Sequence, residues 1–92
     1  MKKITLIGTA ESSPLIKQVE NKELAIFRIA VTEYGNGKAG KPYKATTWHE
    51  VICKKKKLVS KARLSVTKNT PIAIEGVIMY GKIVVRSMLT MS

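Results

Sequence analysis

Leu24 to Thr32 alternates with a period of two. Ala25, Phe27, Ile29 and Val31 fall on one face of an extended chain; Leu24, Ile26, Arg28, Ala30 and Thr32 fall on the other. A helix would scatter both sets around its axis, so the segment buries a coherent face only as a strand. Arg28 interrupts the second face, which is therefore expected to be exposed and is a candidate binding surface. Extended segments recur around this one. Lys3 to Gly8 reads as a first strand, Ser12-Ser13-Pro14 as a turn, and Leu15 to Val19 as the start of a return strand. Glu20-Asn21-Lys22 is a polar tip suited to a hairpin loop. Gly35 to Pro42 contains three glycines, a proline and no acid, and predicts a protruding, mobile β-hairpin leading into a strand from Lys44 to Cys53.

Leu58 to Val66 is the one stretch with helical spacing, with Leu58, Ala62 and Ser65/Val66 as the buried stripe. Lysines 54 to 57 precede it and oppose the helix macrodipole, so the helix is expected to begin after most of them. Asn69 suits a left-handed exit and Pro71 a helix-to-strand connection. Ile72 to Ile78 then forms a strand, Tyr80-Gly81-Lys82 a tight reversal, and Ile83 to Leu89 a last strand. Three strands, one short helix and two strands is the order of the five-stranded Greek-key barrel of the OB type, and also of an open α+β sandwich. A chain of 92 residues supports one domain, 1–92, with a modest core.

Thr46 to Cys53 carries the single tryptophan, Trp48, and runs straight into Lys54, Lys55, Lys56 and Lys57. A flat π-face beside a cationic track suits unpaired bases and their phosphates. The competing reading is a core tryptophan followed by a solvated lysine loop. Charge weighs for the first: 17 Lys+Arg against 6 Asp+Glu leave +11, which favours a polyanionic partner. A membrane surface would call for a basic amphipathic helix or a lipidation signal, and neither stands out. No apolar run reaches the roughly 18 residues that a spanning helix needs. One cysteine, Cys53, excludes an intrachain disulfide and suits a reducing compartment, so a cytoplasmic protein is expected. Catalysis finds no support. The acids Glu11, Glu20, Glu23, Glu33, Glu50 and Glu75 are scattered, no Cys/His metal spacing or phosphate-binding Gly-rich loop is present, and neither metal nor cofactor is expected.

Lys3-Ile4-Thr5-Leu6-Ile7-Gly8, Phe27-Arg28-Ile29-Ala30-Val31, Thr46-Thr47-Trp48-His49-Glu50-Val51 and Ile74-Glu75-Gly76 occur in the order and roughly the spacing of the bacterial single-stranded DNA-binding proteins. The resemblance spans Lys3 to Gly76. It implies sequence-tolerant binding and protection of single-stranded DNA during replication, recombination or repair, by a homodimer or homotetramer. Tyr34 and Trp48 match the family's stacking aromatics, and Lys3 a basic position on the first strand. The full contact set expected is Lys3, Arg28, Tyr34, Lys38, Lys41, Trp48, Lys54, Lys55, Lys56, Lys57, Lys82 and Arg86. His49 resembles the family's histidine near the subunit contact, and Ile4 and Leu6 are expected to serve a strand-edge interface.

Three departures qualify the resemblance. An aromatic that the family commonly carries after the third strand is replaced around Lys54 by charge. Tyr80-Gly81-Lys82 stands where the family has a long basic hairpin. The sequence stops at Met91-Ser92 without the family's acidic tail, which puts replication-protein partners in doubt and suggests a phage, plasmid or transposon relative. Two further readings share the OB barrel: a primosomal-type adaptor that mainly docks proteins, and a binder of structured RNA.

Overall fold

A computed structural model describes residues 2–91. Among these residues the order is β1 (Lys2–Ala10), β2 (Leu15–Val19), β3 (Lys22–Asn36), β4 (Pro42–Cys53), α1 (Lys56–Ser65), β5 (Pro71–Met79) and β6 (Lys82–Thr90), with a 3-10 turn at Lys38–Gly40 between β3 and β4. The strands close in a ring, β1-β5-β6-β4-β3 and back to β1. Neighbours are antiparallel except β4 and β6, which run parallel through Val51–Ile83 and Ile52–Val84. The ring shuts where Thr9 faces Ala30 and Ala10 faces Ile29. This is the five-stranded OB barrel expected from the element order, with β2 as an extension along β3.

β2 is not a return strand. Both β1 and β2 lie antiparallel to β3 and follow one edge of it. Beyond Ala10 the Glu11 N–H donates to the Arg28 carbonyl at 2.9 Å, and pairing resumes at Leu15–Ile26. Ser12-Ser13-Pro14 is therefore a bulge in one line. The turn residues break the strand locally without reversing it, because the hydrogen-bonding edge of β3 holds the chain on both sides. The reversal comes at Glu20-Asn21, where φ is 50° and 65°.

The alternation in β3 resolves as read: Ala25, Phe27 and Ile29 are buried, and Arg28 is exposed. They join Leu6, Ala10, Val51, Cys53, Ile72, Ile74, Val85 and Met88 inside the barrel. Ile4 packs partly buried against this core and Leu6 is only 6% exposed. Their side chains thus point into the barrel, so a strand-edge interface at this segment would use its backbone, with Lys3, Thr5 and Ile7 in the outward phase. Gly8 lies where β1 crosses β3 most closely. A Cβ there would stand 2.1 Å from the Ala30 carbonyl oxygen, so no side chain fits.

The helix begins at Lys56, earlier than its charge suggested, and takes in Lys57 as well. Lysines near a helix N-terminus cost roughly 0.3–1 kcal/mol each. Burying a valine side chain returns about 1.5–3 kcal/mol, and Val59 and Ala62 are buried against the barrel. Packing wins. The Lys61 ammonium also donates to the Met88 carbonyl, tying the helix to β6. Asn69 takes the expected left-handed conformation, φ 71°, and its N–H donates to the Ala10 carbonyl at 2.8 Å. Tyr80 and Gly81 (φ 52° and 75°) make the tight turn between Met79 and Lys82.

Candidate nucleic-acid interface

β3 and β4 form a hairpin that outgrows the barrel. The two strands pair from Ala25–Cys53 to Asn36–Pro42, whereas β4 meets β6 only at Val51 and Ile52. This elongates the molecule to 55 × 30 × 17 Å. Register decides what its faces carry. Arg28 lies opposite Glu50, Ala30 opposite Trp48, Thr32 opposite Thr46 and Tyr34 opposite Lys44. Strand alternation puts all eight side chains on one face.

Trp48 is 50% exposed and Tyr34 is 77% exposed, so neither is a core residue. Between them the hydroxyls of Thr32 and Thr46 hydrogen-bond at 3.1 Å. Four residues of β4 separate Trp48 from Lys44, so the two aromatics stand about 14 Å apart along the strand. Two flat π-surfaces on one ribbon, with small polar side chains between, form a platform for unstacked bases.

Arg28 is held over this platform. Its guanidinium carbon lies 5.9 Å from the centre of the Trp48 ring, within cation–π range. Its Nε lies 3.1 Å from Glu11 Oε2, an ion pair. The strand-order reading did not foresee Glu11 because the contact exists only once β1 closes on β3. Lys44 was also missed, although its parity with Trp48 on one strand was available. Tyr43 sits on the opposite face of the hairpin, its ring packed on Gly35 so closely that a Cβ there would lie 2.7 Å from it.

The remaining sequence candidates are dispersed. Lys38 and Lys41 are exposed at the hairpin tip, where Ala39 and Gly40 take φ of 62° and 71°. Lys54 to Lys57 are exposed at the other end of β4 and the start of α1. Six residues of strand put Lys54 about 20 Å from Trp48, so the lysine run follows Trp48 in sequence without adjoining it in space. Lys3, Lys82 and Arg86 are exposed on the β1-β5-β6 side of the barrel. His49 faces Ile29, on the opposite phase from Trp48, and is half-buried. Cys53 is enclosed in the core, and burial pushes its thiol up to about 11.

Similarity to known proteins points the same way as the geometry. The model of the single-strand binding protein family matches residues 1–88. A mitochondrial single-stranded DNA-binding protein of Danio rerio is 32% identical over 89 residues, covering 89% of this chain. The chain spans 61% of the length of that curated relative. Among solved structures, a Plasmodium falciparum SSB in complex with single-stranded DNA superposes with TM-score 0.87 at 17% identity, over 100% of this chain and 96% of that one. A small single-stranded DNA-binding protein from Streptomyces coelicolor gives 0.77 at 17% identity, over 97% and 92%. At such identities the superpositions speak for the fold.

Proposed function

The chain belongs to the single-strand binding protein family, and from that premise we propose that it binds single-stranded DNA without regard to sequence, protecting it during replication, recombination or repair. The observation that carries this reading is the shared face of Trp48 and Tyr34, exposed and flanked by Arg28 and Lys44. An aromatic ring stacks on any base, and phosphates carry no sequence information, so such a face is tolerant by construction. Lys38 and Lys41 extend positive charge past Tyr34 toward the tip. Lys3, Lys82 and Arg86 provide a second basic side that a wrapping strand would reach. No feature of the site favours the protein-docking or structured-RNA readings.

Catalysis plays no part in this proposal, since nothing in the sequence assembles a nucleophile with a base. Homo-oligomerisation belongs to it. β1 pairs with β5 from Lys2 to Thr9 but with β3 only at Thr9 and Ala10, so its other edge is open along most of its length. A second copy could add its own β1 there through backbone hydrogen bonds, with Lys3, Thr5 and Ile7 outward and His49 a candidate nearby. The single buried thiol suits a reducing compartment, the cytoplasm of a bacterium or a host of a mobile element. Among the described residues no helix is long and apolar enough to cross a membrane.

Titration with poly-dT tests the reading. Saturating DNA should quench most Trp48 emission, and Trp48→Ala should weaken binding by about 1–3 kcal/mol. A half-exposed side chain contributes little to the core, so the variant should keep its melting temperature. An unquenched tryptophan in a protein that binds DNA normally would remove Trp48 from the interface.

A further inference from the structure

Away from the stacking face, a concavity of about 710 Å³ opens between the β2–β3 hairpin and the first half of α1. Three separate segments build it. The hairpin contributes Lys22 and Glu23, the β4–α1 joint Lys54 and Lys55, and the helix Lys56, Ser60 and Arg63. Glu23 is the one acid in the lining, and it is already bonded to Arg63 at 2.7 Å. Lys22, Lys54, Lys55 and Lys56 have no carboxylate partner among the described residues. Gathering unpaired ammonium groups round a hollow is unfavourable for the isolated fold, and a concave wall focuses their field inward.

The helix adds to that field. Lys55, its N-cap residue, makes no side-chain capping bond, and the first turn contains no acid. The leading N–H groups of α1 are therefore unsatisfied by the protein and present the positive end of the macrodipole beside the lysines. Ammonium groups, free N–H donors and the Ser60 hydroxyl together match a multiply charged, acceptor-rich anion. Carboxylates carry too little charge to balance such a set.

We propose that this concavity is a phosphate-binding site that works without base stacking. Its ligand is a run of phosphate groups, either the backbone of the bound strand continuing past Trp48 or a separate phosphate-bearing molecule. Only the first source rests on the single-strand binding reading. The site itself stands on the cavity. Lys57, also in the run, does not line it.

Inorganic tripolyphosphate is the probe, titrated into the full chain at fixed ionic strength and followed by ¹⁵N NMR. The expected result is saturable shifts at Asn21, Lys22 and Lys55 to Ser60. Lys55→Gln with Lys56→Gln should weaken binding at least tenfold, while Lys38→Gln with Lys41→Gln, an equal loss of charge at the hairpin tip, should leave it unchanged. Trp48→Ala should also leave it unchanged, so failure of the stacking reading would be seen separately. Shifts spread evenly over all basic surfaces, or equal weakening by both double variants, would overturn the site and reduce it to diffuse counterion binding. An oligo-dT added to the loaded protein then identifies the source. Release of tripolyphosphate assigns the cavity to the strand's own backbone; retention with Trp48 quenched assigns it to a second molecule.

Discussion

Replacing Glu11 with glutamine should tighten the grip on single strands. In the proposed binding mode a DNA phosphate meets Arg28 where the Glu11 carboxylate already stands, with Nε and Oε2 3.1 Å apart. A phosphate must displace it and then tolerate it nearby. The two side chains are 50% and 41% exposed, so the ion pair itself is worth about 0.2–1 kcal/mol. Residual repulsion between Glu11 and a phosphate some ~6 Å away in water adds about 0.7 kcal/mol. Together the carboxylate withholds roughly 0.9–1.7 kcal/mol, so Glu11→Gln should raise affinity roughly five- to fifteenfold at low salt. If Arg28 then neutralises one further phosphate, the slope of log K against log salt steepens by about 0.7. Poly-dT titrations of Trp48 emission across a salt series read both quantities. Glu33→Gln is the control: it changes net charge equally, but Glu33 faces Ala45 on the opposite phase of β3. An affinity within twofold of the unmodified protein, or an equal gain from Glu33→Gln, would refute the reasoning.

Gly8→Ala should destabilise the fold by about 3 kcal/mol, read from the denaturant midpoint, because its Cβ would lie 2.1 Å from the Ala30 oxygen and the barrel seam must move. Lys61→Met removes the donor to the Met88 carbonyl and should cost about 1 kcal/mol in urea, since the lysine is partly solvated. Cys53 makes stability fall at high pH: its thiol is raised from 9.0 to about 11 in the fold, so the unfolded chain loses the proton first. The contribution is intact below pH 9 and fades toward 11, by roughly 3 kcal/mol in all; Cys53→Ala, compared in the same buffers, should lack that part of the decline.

Local signals carried far in this chain. The period of two in Leu24–Thr32 marked the buried face of β3, Asn69 a left-handed exit, and Tyr80-Gly81-Lys82 a tight reversal. Where the reading failed, a distant partner outweighed a local preference. The edge of β3 straightened Ser12-Ser13-Pro14 into a bulge, and burial of Val59 drew the helix start back into the lysines. For Ile4 and Leu6 the alternation was legible, and barrel closure adds which phase points inward. The site divided in the same way. Trp48, Tyr34 and Arg28 were visible as residue types at strand spacing. Their common face required the β3–β4 register, Glu11 required the β1–β3 seam, and the distance of the lysines from Trp48 follows from the six residues of extended chain between them.

The barrel's two thin seams have a kinetic consequence. Val51–Ile83 with Ile52–Val84, and Thr9–Ala30 with Ala10–Ile29, join two slabs, β1-β5-β6 and β2-β3-β4, each knit by long antiparallel ladders. Each seam holds only two residue pairs, whereas the β1–β5, β3–β4 and β5–β6 ladders run eight pairs or more, so the seams are the weakest backbone joints of the barrel. They are also the places where the barrel opens first, below the free energy of global unfolding. Ala30 is at once a seam residue and the neighbour of Trp48. A strand laid over that point and on across β1 would act as a suture, holding the slabs together while it is bound. Amide exchange at Glu11, whose N–H donates to the Arg28 carbonyl across the β1–β3 seam, then becomes a clock for occupancy, slowing as the nucleic acid saturates the protein.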